Sequence, residues 1–204
     1  MEAGPRGPTI ACMISFAHAP HRALARAGYA ASAWAIAYAV GVRGYQGFGG
    51  TVGLPGTFVD DGDFRTASLQ AGGFLLVVGL GALGFVRPWG LRLPRWALIA
   101  PAVAGSAFAI AHALTGYVTK PLHALGVIDL GFPGWAKLDE GELIRWDLLF
   151  YEPWFLGLGV LVTLGAVHHF RRTGGSRRGE RRIVLVTAAA SVALATLASI
   201  AVAA

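Results

Sequence analysis

Long blocks of apolar residues alternate with short polar connections along this chain. Five of the blocks are long enough to cross a hydrocarbon core of roughly 30 Å at roughly 1.5 Å per helical residue. These blocks lie at about 27–47, 66–86, 96–117, 146–167 and 183–203. The pattern predicts an all-α integral membrane helical bundle with five transmembrane helices, preceded by an N-terminal segment at 1–26.

The connections carry the residues that end helices. Gly, Pro and Asp are frequent at 49–65, and prolines lie at both ends of 87–95. The stretch Thr119–Arg145 is mixed in polarity and is interrupted by Pro121. It is therefore predicted to be an extramembrane or interfacial loop.

Composition agrees with a membrane location. Of 204 residues, 55% are hydrophobic and only 14% are charged, and the mean hydropathy is +0.57. These values nearly exclude a water-soluble enzyme fold. The single cysteine, Cys12, excludes an intrachain disulfide and a cysteine-based zinc site. No phosphate-binding loop or other cofactor motif is present, so neither a cofactor nor a metal is expected.

The formal net charge of +6 is distributed unevenly between the connections. The N-terminal segment and the loops at 87–95 and 171–182 hold twelve arginines and two acids, a net charge of +10. The remaining segments hold five basic and nine acidic residues, a net charge of −4. The positive-inside rule then predicts a cytoplasmic N-terminus and an external C-terminus in a bacterial cytoplasmic membrane.

The arginine-rich loop at 171–182 has two interpretations. It could bind nucleic acid phosphates as a basic arm. It could equally lie against anionic lipid headgroups, and this interpretation also explains the other two basic segments. The sequence therefore favours the lipid bilayer as partner and predicts no nucleic acid partner.

Three ionisable residues lie within the predicted spans, where each must be paired, desolvated or placed beside water. Arg43 lies in the first span, His112 in the third and Glu152 in the fourth. Each is roughly 6–9 Å inside the outer end of its span at 1.5 Å per residue. Glu152 and His112 are the candidate catalytic residues, and Arg43 is a candidate binding residue.

Further candidate binding residues surround this outer-half cluster. They are Tyr45, Tyr117, Asp147 and Tyr151. On a regular α-helix, Asp147 shares a face with Tyr151 but lies about 140° from Glu152, so the two acids need not serve one site. Pro153 is expected to kink the helix beside Glu152.

Structural interpretations stand beside the functional ones. Pro153 could begin the fourth helix and leave Glu152 at the interface, complementing the helix N-terminus. Arg43 could extend to the headgroups, and His112 could be an interhelical hydrogen bonder. An ion could bind at Asp60, Asp61 and Asp63, although a solvated acidic turn explains these residues more simply.

Two stretches of the chain are similar to a known family. They are Tyr45-Gln46-Gly47-Phe48 followed by GGTVGLPG at Gly49 to Gly56, and WDLLFYEPWF at Trp146 to Phe155. They resemble small bacterial multi-spanning membrane proteins grouped as domain of unknown function 3995. Where members of that family commonly carry an aromatic pair, this chain has Tyr45 and Gln46. The resemblance implies a membrane location and no particular activity.

Two functions remain open from the sequence. In the first, the chain is a non-enzymatic membrane component or a binder of an apolar small molecule or lipid, with Arg43 paired to Glu152 or Asp147. In the second, Glu152 and His112 perform acid/base chemistry on a lipid-like or isoprenoid substrate, as in an isomerase or cyclase. Transport would require a homodimer, since five spans show no inverted repeat.

Overall fold

The computed structural model describes the backbone from Thr9 to Ala203 and the side chains of residues 22–202. Most of the predicted N-terminal segment at 1–26, with the side chain of Cys12, lies outside the described side chains. The helices are α1 (Thr9–Tyr38), α2 (Tyr45–Gly47), α3 (Asp61–Leu83), α4 (Arg95–Ala124), α5 (Glu140–Trp146), α6 (Glu152–Arg172) and α7 (Arg177–Ala203). The strands are β1 (Gly56–Phe58) and β2 (Trp135–Leu138). The all-α prediction is confirmed, with 79% of the chain helical and 4% in strands.

Two π-helical segments interrupt the longer helices. Ala39–Gly44 joins α1 to α2, and Asp147–Tyr151 joins α5 to α6. A short 3₁₀ helix, Pro88–Arg92, lies in the connection between α3 and α4. The π-helical segments lie where the sequence places the outer ends of the first and fourth spans.

Within the described chain, four helical stretches are long and apolar enough to cross a membrane. They are Asp61–Leu83, Arg95–Ala124, the continuous Glu140–Arg172, and Arg177–Val202. They correspond to the second to fifth predicted spans. The first predicted span does not belong to this set, and it is not one regular helix, because it runs through α1, the π-helical Ala39–Gly44 and α2.

Several predicted helix ends were wrong. The predicted loop Thr119–Arg145 contains the last turn of α4, β2 and nearly all of α5. Pro121 does not end α4, because a proline near the C-terminus removes only the hydrogen bond to the carbonyl four residues earlier. At the other end of this stretch, Asp139 caps α5 by accepting a hydrogen bond from the Glu142 amide at 2.9 Å.

The helices pack in a simple spatial order. α1 packs between α3 and α6, and α4 packs between α6 and α7. Small residues allow close approach: a Cβ added at Gly79 would lie 3.2 Å from the Ser32 carbonyl oxygen, and one at Gly159 would lie 3.0 Å from that of Ser106. Gly81 of α3 does not take part in such a contact, since nothing lies within 4 Å of its Cβ position. α6 is therefore central, with α1 on one side and α4 on the other.

The connections at each end of the bundle contact one another. At one end, β1 pairs antiparallel with β2, with Gly56 opposite Leu138, and Phe58 stacks on Phe64 with ring centres 3.8 Å apart. At the other end, Arg172 donates to the Phe85 carbonyl at 2.9 Å. The two arginine-rich loops therefore share one end and the two acidic loops share the other, as the charge pattern predicts.

Candidate functional site

Glu152 is the most deeply buried carboxylate among the described residues. Its side chain is 1% exposed, and its Oε1 forms an ion pair with the Lys120 ammonium of α4. The Lys120 ammonium also lies 2.8 Å from Asp147 Oδ2. One half-buried lysine thus bridges two carboxylates, which is the arrangement that permits such charges at low dielectric.

The π-helical segment places both carboxylates on one side of the helix. Its backbone bonds span five residues, and the Glu152 amide donates to the Asp147 carbonyl. Residues five apart therefore lie one turn above each other here, whereas on an α-helix Asp147 and Glu152 would diverge. Pro153, which has no amide hydrogen to donate, follows directly after this segment. The kink expected at Pro153 stays a prediction; what the structure has directly before Glu152 is the π-helical segment Asp147–Tyr151.

Gly116 provides the space that Glu152 occupies. A Cβ at Gly116 would lie 2.0 Å from Glu152 Oε1 and 2.3 Å from its Cδ. The carboxylate therefore lies directly against the backbone of α4, one turn before Lys120. Any side chain at residue 116 would displace it.

A cavity of about 290 Å³ lies beside this ion pair, between α4, α6 and α7. Its apolar lining includes Phe108, Leu194 and Ala198. Its polar lining includes Glu152 and Thr115. Neither Glu152 Oε2 nor Thr115 Oγ1 has a hydrogen-bond partner in the described part of the chain, although both atoms are buried. The cavity thus joins an apolar wall to polar atoms whose hydrogen-bonding capacity is unused.

His112 also lines the cavity, as the matched depths in the sequence suggested. Its Nε2 lies 3.7 Å from Glu152 Oε2, which is too long for a hydrogen bond and close enough for an ion pair if the ring is protonated. Its ring packs edge-on against Phe155, with centres 4.5 Å apart. Two of the three ionisable residues predicted from depth therefore meet.

Arg43 does not pair with Glu152 or Asp147, so that part of the prediction was wrong. In the described chain it makes no ion pair. Its guanidinium donates to Gln46 Oε1 at 3.3 Å and lies 5.7 Å from the centre of the Tyr38 ring. The physical reason is that Lys120, one turn beyond the predicted end of the third span, takes the position facing both carboxylates.

The predicted tyrosines are divided between separate places. Tyr151 accepts from Gln46 Nε2 at 3.1 Å and donates to the Gly53 carbonyl at 3.3 Å. These bonds connect the π-helical Asp147–Tyr151 to Gln46, which accepts from Arg43. Tyr45 is exposed and accepts from the Val52 amide at 3.4 Å. Tyr117 is exposed on α4 and does not line the cavity. Only Tyr151, adjacent to Glu152 in the chain, lies next to the candidate site.

Lys120 is the candidate site residue that the sequence interpretation missed. The predicted loop Thr119–Arg145 includes it, because that stretch is mixed in polarity and is interrupted by prolines and glycines. The spacing of His112, Gly116 and Lys120 indicates its position, because residues four apart share one face of a helix such as α4. Continuing the helix by one turn would have placed an ammonium group on that face.

The acidic turn at 60–63 has a structural role. Asp60 caps α3 through its Oδ1, which accepts from the Gly62 amide at 2.7 Å and the Asp63 amide at 3.0 Å. A carboxylate at this position satisfies amides that the helix itself leaves unpaired. The interpretation of this segment as an acidic turn agrees with that geometry.

Neither a family model, nor a curated protein, nor a solved structure matches this chain. The resemblance to domain of unknown function 3995 stays a prediction, and the functional argument depends on the geometry described above.

Proposed function

We propose that this chain is a multi-pass protein of the bacterial cytoplasmic membrane that binds a small amphiphilic molecule between α4, α6 and α7. The observation that carries the proposal is Glu152, which lines an apolar cavity and whose buried Oε2 has no hydrogen-bond donor among the described residues. A buried polar atom without a partner costs about 1–3 kcal/mol, and a ligand that supplies the partner recovers this free energy. The cavity volume of about 290 Å³ is just below the range of roughly 300–1,000 Å³ for small-molecule sites, which favours a small ligand.

The lining favours a ligand that enters from the bilayer. Phe108 of α4 is 66% exposed and Leu194 of α7 is 44% exposed, and both also line the cavity. The cavity therefore reaches the lateral surface of the bundle between these two helices. In a membrane that surface faces lipid, so an apolar molecule could enter without crossing water.

Filling the cavity tests this proposal. Ala198 is exposed and lines the cavity from α7, so Ala198→Phe should occupy the space without touching the ion pair. We expect a medium-chain alcohol carrying a diazirine to label α4 and α7 peptides around the cavity in the wild type. In Ala198→Phe this labelling should fall about tenfold, as expected when a well-packed site is lost.

Val77→Phe is the matched control, because Val77 is exposed on α3 and lies outside the cavity lining. Labelling should be unchanged in this variant. Equal labelling of the wild type and Ala198→Phe, quantified by peptide mass spectrometry, would reject the cavity as the binding site.

The proposal includes five spans, with α1 as the additional one. α1 lies between α3 and α6, so much of its surface contacts protein and it needs less apolar surface than a lipid-exposed helix. The three basic segments then lie on the cytoplasmic side, against anionic headgroups, and the C-terminus lies outside.

Cysteine accessibility tests this topology. In a Cys12→Ser background, single cysteines replace Ala3, Val59 or Leu91. A membrane-impermeant thiol reagent should label Val59→Cys in intact cells, and Ala3→Cys and Leu91→Cys only after permeabilisation. Labelling of Ala3→Cys together with Val59→Cys in intact cells would show that α1 does not cross. Labelling of Ala3→Cys and Leu91→Cys without Val59→Cys would show the reverse orientation.

Acid/base catalysis on a lipid-like or isoprenoid substrate is the second candidate function. It is favoured by one observation, the approach of His112 Nε2 to within 3.7 Å of Glu152 Oε2 beside an apolar cavity. A carboxyl group and an imidazole at one cavity wall can donate and accept a proton from the same bound molecule. Conversion of the bound molecule by the purified protein separates this function from simple binding.

A further inference from the structure

We infer that the molecule bound in this cavity presents a neutral hydroxyl group to Glu152, with its apolar chain against α4 and α7. This inference rests on the proposed function and adds the chemistry of the ligand's polar group. It follows from the unused hydrogen-bonding atoms of the lining and from the charges at this end of the bundle.

The first step concerns hydrogen-bonding capacity. With Oε1 held by Lys120 and His112 Nε2 at 3.7 Å, beyond hydrogen-bond distance, the ionised Glu152 carboxylate can accept a hydrogen bond at Oε2 from a ligand that donates. Thr115 Oγ1 can donate as well as accept and is also without a partner among the described residues. A hydroxyl group can satisfy both atoms because it donates one hydrogen bond and accepts others, whereas an ether oxygen can only accept.

The second step concerns charge. The carboxylates of Asp147 and Glu152 share the Lys120 ammonium, which by itself leaves one negative charge uncompensated. Arg43, which makes no ion pair in the described chain, is joined through Gln46 to Tyr151, the residue before Glu152. With the His112 ring uncharged, the formal charges of Asp147, Glu152, Lys120 and Arg43 sum to zero, although Arg43 pairs with neither carboxylate. A cationic or anionic ligand group would disturb this balance at low dielectric, and a neutral one does not.

The third step concerns the arrangement of the cavity wall. The unpartnered polar atoms belong to Glu152 and Thr115, whereas Leu194 and Ala198 of α7 are apolar. A molecule with one hydroxyl group and a short hydrocarbon chain matches this division. A sugar, which has several more hydroxyl groups, would leave some of them against the apolar side chains of Phe108, Leu194 and Ala198, which is costly without partners.

Two isomeric probes test the inference, because 1-octanol and 1-methoxyheptane have the same atoms but only the alcohol can donate. The full chain in lipid nanodiscs is labelled with the diazirine alcohol, and each isomer competes at a known mole fraction in the lipid. In the wild type, 1-octanol should compete at a concentration about tenfold lower than that of the ether.

Glu152→Gln should remove this preference in a defined way. Lys120 retains the amide oxygen as its acceptor, so the amide nitrogen takes the position of Oε2 and donates into the cavity. The ether can then accept a hydrogen bond from this amide. The concentrations at which the ether and the alcohol compete should therefore differ by about twofold or less, compared with about tenfold in the wild type. Thr115→Val should increase the preference for the alcohol over the ether, because it removes a hydroxyl group that can donate to the ether oxygen. If Glu152→Gln does not fold, the Thr115→Val ratio remains as an independent test.

Each outcome has a distinct meaning. If the isomers compete equally in the wild type and neither competes in Ala198→Phe, the cavity binds amphiphiles and the hydroxyl inference is overturned. An unchanged preference in Glu152→Gln also overturns it. If neither isomer competes in the wild type, the proposed function itself fails.

Discussion

Lys120→Met should lower the free energy of unfolding by about 3–5 kcal/mol, because it leaves two carboxylates without their common cation. Glu152 is 1% exposed and Asp147 is 18% exposed, so solvent screens the pair only weakly. We expect loss of monodisperse protein after purification and a marked decrease of the midpoint in denaturant titrations. Methionine keeps the length and apolar stem of lysine, so the effect reports the missing charge.

Lys137→Met is the matched control for this substitution. Lys137 is exposed on β2 and takes part in none of the ion pairs among the described residues. Its replacement should change stability by less than about 0.5 kcal/mol. Adding Glu152→Gln to Lys120→Met should restore part of the lost stability, because it removes the most buried uncompensated charge. Equal stability of the two lysine variants would show that the bridge contributes nothing.

Gly116→Ala should destabilise the protein by about 1–3 kcal/mol, the usual cost of adding a methyl group where no space exists. The new Cβ would lie 2.0 Å from Glu152 Oε1. Burial and the contact with Lys120 prevent the carboxylate from moving aside freely. Labelling of the cavity by the diazirine alcohol should fall in parallel, since the carboxylate must change position.

Gly105→Ala separates this effect from helix propensity. Gly105 lies on the same helix, is exposed, and has nothing within 4 Å of its Cβ position. There alanine should stabilise the helix by about 0.5–1 kcal/mol through its better propensity. In a Glu152→Ala background, Gly116→Ala should lower the free energy of unfolding much less than it does in the wild type. Unfolding curves of the wild type, the two single variants and the double variant form a double-mutant cycle that measures this difference. A cost that persists without the Glu152 side chain would place the clash elsewhere.

Much of the fold could be predicted from the sequence because lipid imposes a simple rule on it. Long apolar blocks without charge must be helical, since a backbone in hydrocarbon has to satisfy its own hydrogen bonds. This rule identified α3, α4, α6 and α7, although some predicted ends lie up to seven residues from the observed ones. It was less informative for α1, which lies between other helices and continues into a π-helical segment, so its hydrophobicity is not set by lipid alone.

The candidate site was predicted only in part. Depth along each span brought His112 and Glu152 together correctly, because rise per residue depends only on helix geometry. The same reasoning selected Arg43 as their cation, since it placed Lys120 in the predicted loop Thr119–Arg145. The helix continues for one more turn, and Lys120 occupies the position that Arg43 was expected to fill.

By itself the sequence determined that the chain is helical, that its charges separate into a basic end and an acidic end, and that Glu152 and His112 lie at a similar depth. These properties depend on composition and on distance along a helix. Only the tertiary structure decided that Asp147 and Glu152 share Lys120, that Gly116 makes room for the carboxylate, and that an apolar cavity borders it. These depend on rotation about the helix axis and on packing between helices, and a π-bulge beside Pro153 changes that rotation in a way that regular helical spacing does not reveal.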